Sequence, residues 1–106
     1  MSITHVTDDS FKETVLDEKE KLVLVDFWAE WCGPCRALSP IIESLSKKMT
    51  SVKVCKMDTD SNQNTAQNYE ITGIPCCIIF KEGEEVKRIM GYKSESAFES
   101  ELTALI

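Results

Sequence analysis

The stretch KLVLVDFWA, residues 21–29, limits the possible folds of this chain more than any other segment. It is a nearly continuous apolar run of strand length, which predicts a strand that is buried on both of its faces. Strands of this kind lie in the middle of parallel sheets, where helices cover both sides. The run therefore predicts an α/β fold, with a helix on the C-terminal side of the strand.

Hydrophobic periodicity predicts the other elements. In chain order we expect a strand near 3–6, a helix over 7–17, a helix over 32–48, a strand over 51–58, a short helix ending near 69, a hairpin over 76–90 and a helix over 94–106. The candidate N-caps are Thr7 and Asp8 for the first helix and Ser94 for the last. Pro40 should kink the second helix. This order implies a mixed sheet with helices on both faces.

Length and charge narrow the class of protein. The 106 residues match a single domain that spans residues 1–106. The net charge of −6 disfavours nucleic acid or an anionic membrane as a partner. The start, MSITHVTDDSF, has neither the basic nor the apolar region of a secretion signal, and no apolar run has membrane-spanning length. We therefore expect a soluble protein without a secretion signal.

The number of cysteines indicates whether the protein's compartment is oxidising or reducing. The chain has five cysteines, an odd number, and Cys76 and Cys77 are adjacent. Because adjacent cysteines cannot form an unstrained disulfide, a disulfide framework fits poorly. Mostly free thiols indicate a reducing environment, so we expect a cytoplasmic protein.

The segment WCGPC, residues 31–35, lies between the predicted buried strand and the start of a helix. This is the edge of a parallel sheet at which ligands bind. Cys32 should lie at the helix N-terminus, where unpaired backbone N–H groups stabilise a thiolate, and Cys35 lies one turn further on the same face. We expect Cys32 to be an exposed nucleophile and Cys35 a sheltered resolving thiol. Gly33 permits close approach of a partner chain, and Pro34 supplies a φ angle that suits a helix.

Three kinds of site could use such a pair: a structural disulfide, a metal site, or a dithiol that opens and closes. A structural zinc needs about four ligands. The remaining candidate ligands are not at ligand spacing: Cys55, Cys76, Cys77 and His5. We favour the redox pair, expect no metal, and keep an inert structural disulfide as the alternative.

The motif WCGPC, together with Asp26, Trp28, Pro40, GIP at residues 73–75 and Gly91, resembles the thioredoxin family over essentially the whole chain. The resemblance implies a mixed five-stranded sheet flanked by four helices. It also implies a protein disulfide reductase that takes part in electron transport and cell redox homeostasis. Such a protein binds no cofactor itself and receives electrons from NADPH through a separate flavin-containing thioredoxin reductase. We expect a monomer that acts on disulfide-containing proteins.

The resemblance also implies a substrate-binding surface. It implies that Pro75 is cis and that the backbone of Ile74 pairs with the substrate chain. The alternative is that Pro75 merely begins a strand. Trp31 should form a flat apolar docking surface with Gly73, Ile74 and Gly91.

Asp26 interrupts the apolar run, where an isolated charge is costly. Burial should raise the pKa of this carboxyl group and make it a candidate proton acceptor for Cys35 through a water molecule. The alternative is a local bend that exposes Asp26 to solvent. Lys56 matches the family's lysine near this carboxylate and either moderates its charge or is a solvated strand-end residue. Trp28 is predicted to lie in the core.

The cysteines outside the motif are departures from the family's pattern. Strand alternation predicts that Cys76 and Cys77 face opposite layers. We interpret them and Cys55 as small buried hydrophobic residues, with a regulatory thiol at Cys76, nearest the active site, as the alternative.

Two other functions compete with a reductase. A disulfide oxidase or isomerase has the same fold but usually carries a histidine or another pair of residues where this chain has Gly33 and Pro34. A non-catalytic binding subunit would use the apolar face around Trp31 without turnover.

Overall fold

The computed structural model describes residues 3–106, so Met1 and Ser2, the first residues of the predicted domain, lie outside the described residues. The elements are, in chain order, β1 (Ile3–His5), a π-helical segment (Lys12–Leu16), β2 (Leu22–Trp28), α1 (Gly33–Lys48), β3 (Val52–Asp58), α2 (Gln63–Asn68), β4 (Cys76–Lys81), β5 (Glu84–Met90) and α3 (Glu95–Leu105). This order confirms the predicted alternation of strands and helices.

The five strands form one mixed sheet in the order β1-β3-β2-β4-β5. Strands β1 and β2 pair with β3 in parallel, whereas β4 pairs antiparallel with β2, and β5 with β4. Strand β2 lies in the centre, and every residue from Leu22 to Phe27 is buried. The predicted class, a mixed five-stranded sheet with four helices, is therefore confirmed.

Alternation along β2 divides the core into two layers. Leu22 and Leu24 face α1 and α3, where they pack with buried residues that include Leu38, Ile42, Phe98 and Leu102. Val23, Val25 and Phe27 face the opposite layer, which contains Phe11, Val15 and Phe80. Full burial of one such side chain stabilises the fold by about 1.5–3 kcal/mol. By the same alternation, the side chain at position 26 points towards α1.

The first predicted helix is wrong in extent and in its caps. The segment is a single π-helical turn that begins only at Lys12, and Phe11 precedes it without a side-chain cap. Asp8 instead accepts hydrogen bonds from the backbone N–H groups of Thr65, at 2.9 Å, and Asn64, at 3.3 Å. These donors lie in the first turn of α2 and have no partner within that helix. Asp8 therefore caps a helix that is distant in sequence.

Helix α1 is the longest helix, with 16 residues, and it continues through Pro40 to Lys48. The predicted N-cap of α3 is confirmed, because the Ser94 hydroxyl accepts the N–H of Ala97 at 3.2 Å. Over residues 3–106, none of the helices combines the length and the apolar character needed to cross a membrane.

The hairpin between β4 and β5 turns at Glu82 and Gly83, as predicted. Their φ angles are 52° and 83°, the left-handed pair that a two-residue hairpin turn requires. A Cβ atom at Gly83 would lie 2.6 Å from the carbonyl oxygen of Leu16. Glycine is therefore needed here both for the backbone angle and for the close approach of the π-helical segment.

Candidate active site

Cys32 and Cys35 form a disulfide at the N-terminus of α1, with their Cα atoms 5.2 Å apart. Cys32 is the N-cap residue, in extended conformation, and its Sγ accepts the backbone N–H of Cys35 at 3.2 Å. Gly33 and Pro34 supply the first two helical positions. Unpaired N–H groups at this end of the helix favour an anion, so opening the disulfide would place a stabilised thiolate at Cys32.

The expected difference in exposure between the two cysteines is not observed in the disulfide state. Cys32 is 4% exposed and Cys35 is 3% exposed. Cys32 is covered because the disulfide packs with Ala29 and Ile74. The prediction of an exposed Cys32 is therefore wrong for this state, and the two residues differ instead in their positions relative to the helix terminus.

The loop before β4 lies against the disulfide. The Ile74–Pro75 peptide bond is cis, as the resemblance implies. The Sγ of Cys32 lies 3.7 Å from the carbonyl oxygen of Ile74, and the N–H of Gly91 donates to the carbonyl oxygen of Pro75 at 2.8 Å. These contacts bring together the disulfide and three of the predicted substrate-binding residues, Ile74, Pro75 and Gly91. Their role in binding substrate stays a prediction.

A shallow cleft of about 280 Å³ opens beside the disulfide. Its lining includes three predicted docking residues, Trp31, Gly73 and Ile74. Trp31 is 68% exposed, and its indole N–H donates to Asp60 Oδ2 at 2.9 Å, which holds the ring at the rim. Gly91 does not line the cleft. The prediction missed four lining residues, namely Thr59, Ala66, Ile71 and Thr72.

Asp26 is fully buried in β2, which excludes the alternative of an exposing bend. Burial raises the pKa of its carboxyl group to about 6, while the charge of Lys56 and a hydrogen bond from Cys77 oppose that rise. The Cys77 thiol donates to Oδ1 with a sulfur–oxygen distance of 3.7 Å. Oδ2 has no hydrogen-bond partner within residues 3–106. A buried carboxylate with one free oxygen can accept a proton near neutral pH.

Lys56 lies opposite Asp26 in the parallel register of β2 and β3. Its ammonium group donates to the Ser39 hydroxyl at 3.1 Å and lies 4.8 Å from the centre of the Trp28 ring. Because Ser39 lies one turn after Cys35 in α1, Lys56 connects the buried carboxylate with the helix that carries the disulfide. Trp28, which was predicted to lie in the core, is half-buried and packs against the disulfide.

The cysteines outside the motif, Cys55, Cys76 and Cys77, are all buried and unpaired. Cys76 and Cys77 face opposite layers, as predicted. Burial raises the pKa of each of these thiols, to about 11 for Cys55. The interpretation of Cys77 as packing alone is incomplete, since Cys77, not Cys76, contacts Asp26.

No cluster of three or more potential metal ligands exists among the described residues 3–106. The candidate site combines a disulfide, a buried carboxylate and an apolar cleft.

Comparisons with known proteins agree with this geometry. The family model named Thioredoxin matches residues 2–104. A thioredoxin of Mycobacterium tuberculosis is 45% identical over 102 residues, which is 95% of this chain and 87% of that protein. A thioredoxin of Porphyra purpurea is 45% identical over 107 residues, covering 100% of this chain and 99% of that protein. A thioredoxin of Synechocystis is 48% identical over 104 residues, or 96% of each chain. The chain, with its Cys32–Cys35 disulfide at the start of α1, belongs to the thioredoxin family.

Proposed function

We propose that this protein is a protein disulfide reductase that acts by thiol–disulfide exchange through Cys32 and Cys35. The observation that carries this function is the disulfide between these residues at a helix N-terminus, in a member of the thioredoxin family. The two cysteines lie three residues apart at the start of α1, outside the sheet, so the disulfide can open and close without a change in strand pairing.

The reaction transfers two electrons to the substrate. The Cys32 thiolate attacks one sulfur of the substrate disulfide, and the other substrate sulfur leaves as a thiolate that takes up a proton. A mixed disulfide now joins Cys32 to the substrate. Cys35 loses its proton to Asp26 through a water molecule and attacks the Cys32 sulfur, which releases the second substrate thiolate. Cys32 and Cys35 are left oxidised, as a disulfide.

The substrate chain docks on the cleft beside the disulfide. The exposed ring of Trp31 and the apolar rim at Gly73 and Ile74 supply contact area, and the backbone of Ile74 pairs with the extended substrate chain. A side-chain Cβ at Gly33 would have no heavy atom within 4 Å, which leaves open space above the helix start. Pro34 and Gly91 shape this surface. Trp28 packs against the disulfide, and Lys56 lies opposite Asp26 on the neighbouring strand.

We further propose how the protein is recharged. A separate flavin-containing thioredoxin reductase transfers electrons from NADPH to the Cys32–Cys35 disulfide, and this chain binds no cofactor of its own. The resemblance of WCGPC and its surrounding motifs to the family supports this partner. We propose a cytoplasmic monomer, which agrees with the excess of free thiols and the net charge of −6.

Reduction of insulin disulfides in the presence of NADPH and a thioredoxin reductase tests the function. We expect turnover that depends on both Cys32 and Cys35. A binding subunit would keep its partner interaction after both residues are changed to serine and would show no turnover before the change. An oxidase or isomerase would refold a scrambled disulfide protein faster than it reduces insulin, and that result would contradict the proposal.

A further inference from the structure

The contact between Cys77 and Asp26 has no part in the reaction as described so far. The antiparallel register of β2 and β4 pairs these two residues directly. Both are 0% exposed, and both belong to the face of the sheet that α1 covers. The thiol sulfur lies 3.7 Å from Asp26 Oδ1, within the distance of a sulfur hydrogen bond.

The direction of this hydrogen bond follows from the chemistry of the two groups. An ionised carboxylate can only accept, so the thiol must be the donor. Burial and the nearby charge of Asp26 raise the pKa of Cys77 well above its ordinary value, which keeps the proton on sulfur. Cys77 is thus a permanent donor, and a donor to the charged form of Asp26 stabilises that form.

The other groups around Asp26 leave its second oxygen free. Lys56 on β3 contributes its charge, but its ammonium group donates to the Ser39 hydroxyl. Cys35 on α1 is held in the disulfide, and Cys76 faces the opposite layer of the core. Cys77 therefore supplies the hydrogen bond that holds Oδ1, while Oδ2 has no partner among residues 3–106.

We propose that Cys77 is a positioning residue for proton transfer: its thiol holds Asp26 Oδ1 so that Oδ2 is the oxygen that receives the proton from Cys35. This inference rests on the proposed reductase function. No proton leaves Cys77 during the reaction, and no sulfur is oxidised there. The competing explanation is that Cys77 only fills space between the sheet and α1.

Titration of Asp26 in the oxidised protein separates the two explanations. The carboxyl carbon of Asp26 is followed by ¹³C NMR across its titration, under conditions in which Cys32 and Cys35 are locked in the disulfide. We expect Cys77→Val to move the Asp26 midpoint to higher pH, by about 0.5 or more, because the charged form loses a donor. Cys77→Ser should bring the midpoint back towards the wild-type value, since a hydroxyl donates from the same position. Cys77→Ala replaces Cys77→Val if valine does not fit.

Cys76→Val is the matched control, because it makes the same change one position along β4 but in the opposite layer of the core. Its Asp26 midpoint should equal that of the wild type. An unchanged midpoint in Cys77→Val, or equal shifts in Cys76→Val and Cys77→Val, would overturn the proposal. A midpoint in Cys77→Ser as high as that in Cys77→Val would also overturn it.

The kinetic consequence is a shift of the acid limb of the pH–rate profile. Below the Asp26 midpoint, Cys77→Val should reduce insulin about 3-fold more slowly than wild type, and the difference should disappear at alkaline pH. A rate loss that is constant with pH and comes without a shift of the Asp26 midpoint indicates a packing defect and contradicts the proposal. The NMR midpoint does not depend on turnover. An inactive wild-type protein would thus contradict the proposed function, whereas an unshifted midpoint in an active protein would contradict this inference alone.

Discussion

Asp26 and Lys56 lie opposite each other on neighbouring central strands, yet the lysine ammonium is hydrogen-bonded to Ser39 on the overlying helix. The lysine charge therefore lowers the pKa of the carboxyl group without filling its hydrogen-bonding capacity. Burial is the larger effect, and the pKa of Asp26 rises from 3.8 to about 6. The native structure thus holds a carboxylate that is costly to ionise and that changes charge at a pH of about 6.

Asp26→Asn should remove a pH-dependent loss of stability. The folded pKa of Asp26 lies above its unfolded value, so between pH 3.8 and about 6 the native state holds more protons than the unfolded state. Wild-type stability therefore falls as pH rises through this window. Above it, the variant should be more stable by up to about 3 kcal/mol, and it should reduce insulin more slowly. Urea unfolding of the oxidised proteins across this pH range measures the difference, and parallel stability curves would contradict the prediction.

Lys56→Gln should raise the pKa of Asp26 further, because the positive charge of Lys56, which opposes the effect of burial, is lost. As pH rises, the stability of the variant should therefore keep falling beyond the pH at which the stability of the wild type levels off. Lys53→Gln serves as the control, since Lys53 lies on the same strand but donates to the carbonyl oxygen of Thr14 on the other side of the sheet. The prediction fails if both variants shift the Asp26 titration equally.

Cys32→Ser should abolish turnover, whereas Cys35→Ser should still attack substrate and remain trapped as a mixed disulfide. The reason is that only Cys32 is the N-cap of α1, where backbone N–H groups stabilise a thiolate. In the reduced wild-type protein, alkylation near neutral pH should label Cys32 much faster than Cys35. Mass spectrometry of the labelled peptides reads out the ratio, and faster labelling of Cys35 would reverse the assigned roles.

The reduced, folded protein should show two rapidly reacting thiols with Ellman's reagent and five in denaturant. Burial keeps the reagent away from Cys55, Cys76 and Cys77. It also raises the pKa of each thiol, so their thiolate populations are small. Mild peroxide treatment should remove only the two fast thiols. A third fast thiol in the folded protein would identify a reactive site outside the Cys32–Cys35 pair.

Gly83→Ala should destabilise the protein by about 1–3 kcal/mol, because the new Cβ would meet the Leu16 carbonyl oxygen and the φ angle of 83° is strained for alanine. Gly33→Ala is the matched control, since its Cβ would enter open space. The control should change stability by less than about 0.5 kcal/mol. Thermal or urea unfolding measures both, and similar losses in the two variants would contradict the structural explanation.

Features that depend on neighbouring residues were predictable from the sequence. The burial of Asp26 follows from the apolar residues on both sides of it, and the hairpin follows from Glu82 and Gly83 between two strand-like runs. Ser94 was predicted as an N-cap because its partner, the N–H of Ala97, lies three residues away. The order of strands and helices was correct for the same reason.

Features that depend on strand register or on distant segments were not predictable. The contact between Cys77 and Asp26 requires the register of two strands that are far apart in the chain, and a slip of one residue would place Cys76 there instead. Asp8 has the local pattern of a helix cap, but its partners lie beyond position 60. The low exposure of Cys32 likewise depends on a loop that contributes Ile74 from another part of the chain.

By capping α2, Asp8 helps to hold one wall of the cleft in place. Ala66, which lines the cleft, follows directly after Asn64 and Thr65, whose backbone N–H groups donate hydrogen bonds to the Asp8 carboxylate. The Asp8 N–H also donates to Asn62 at 2.8 Å, just before α2. A truncation that removed Asp8 would thus loosen one wall of the docking surface, although the cut lies far from the cysteines in sequence.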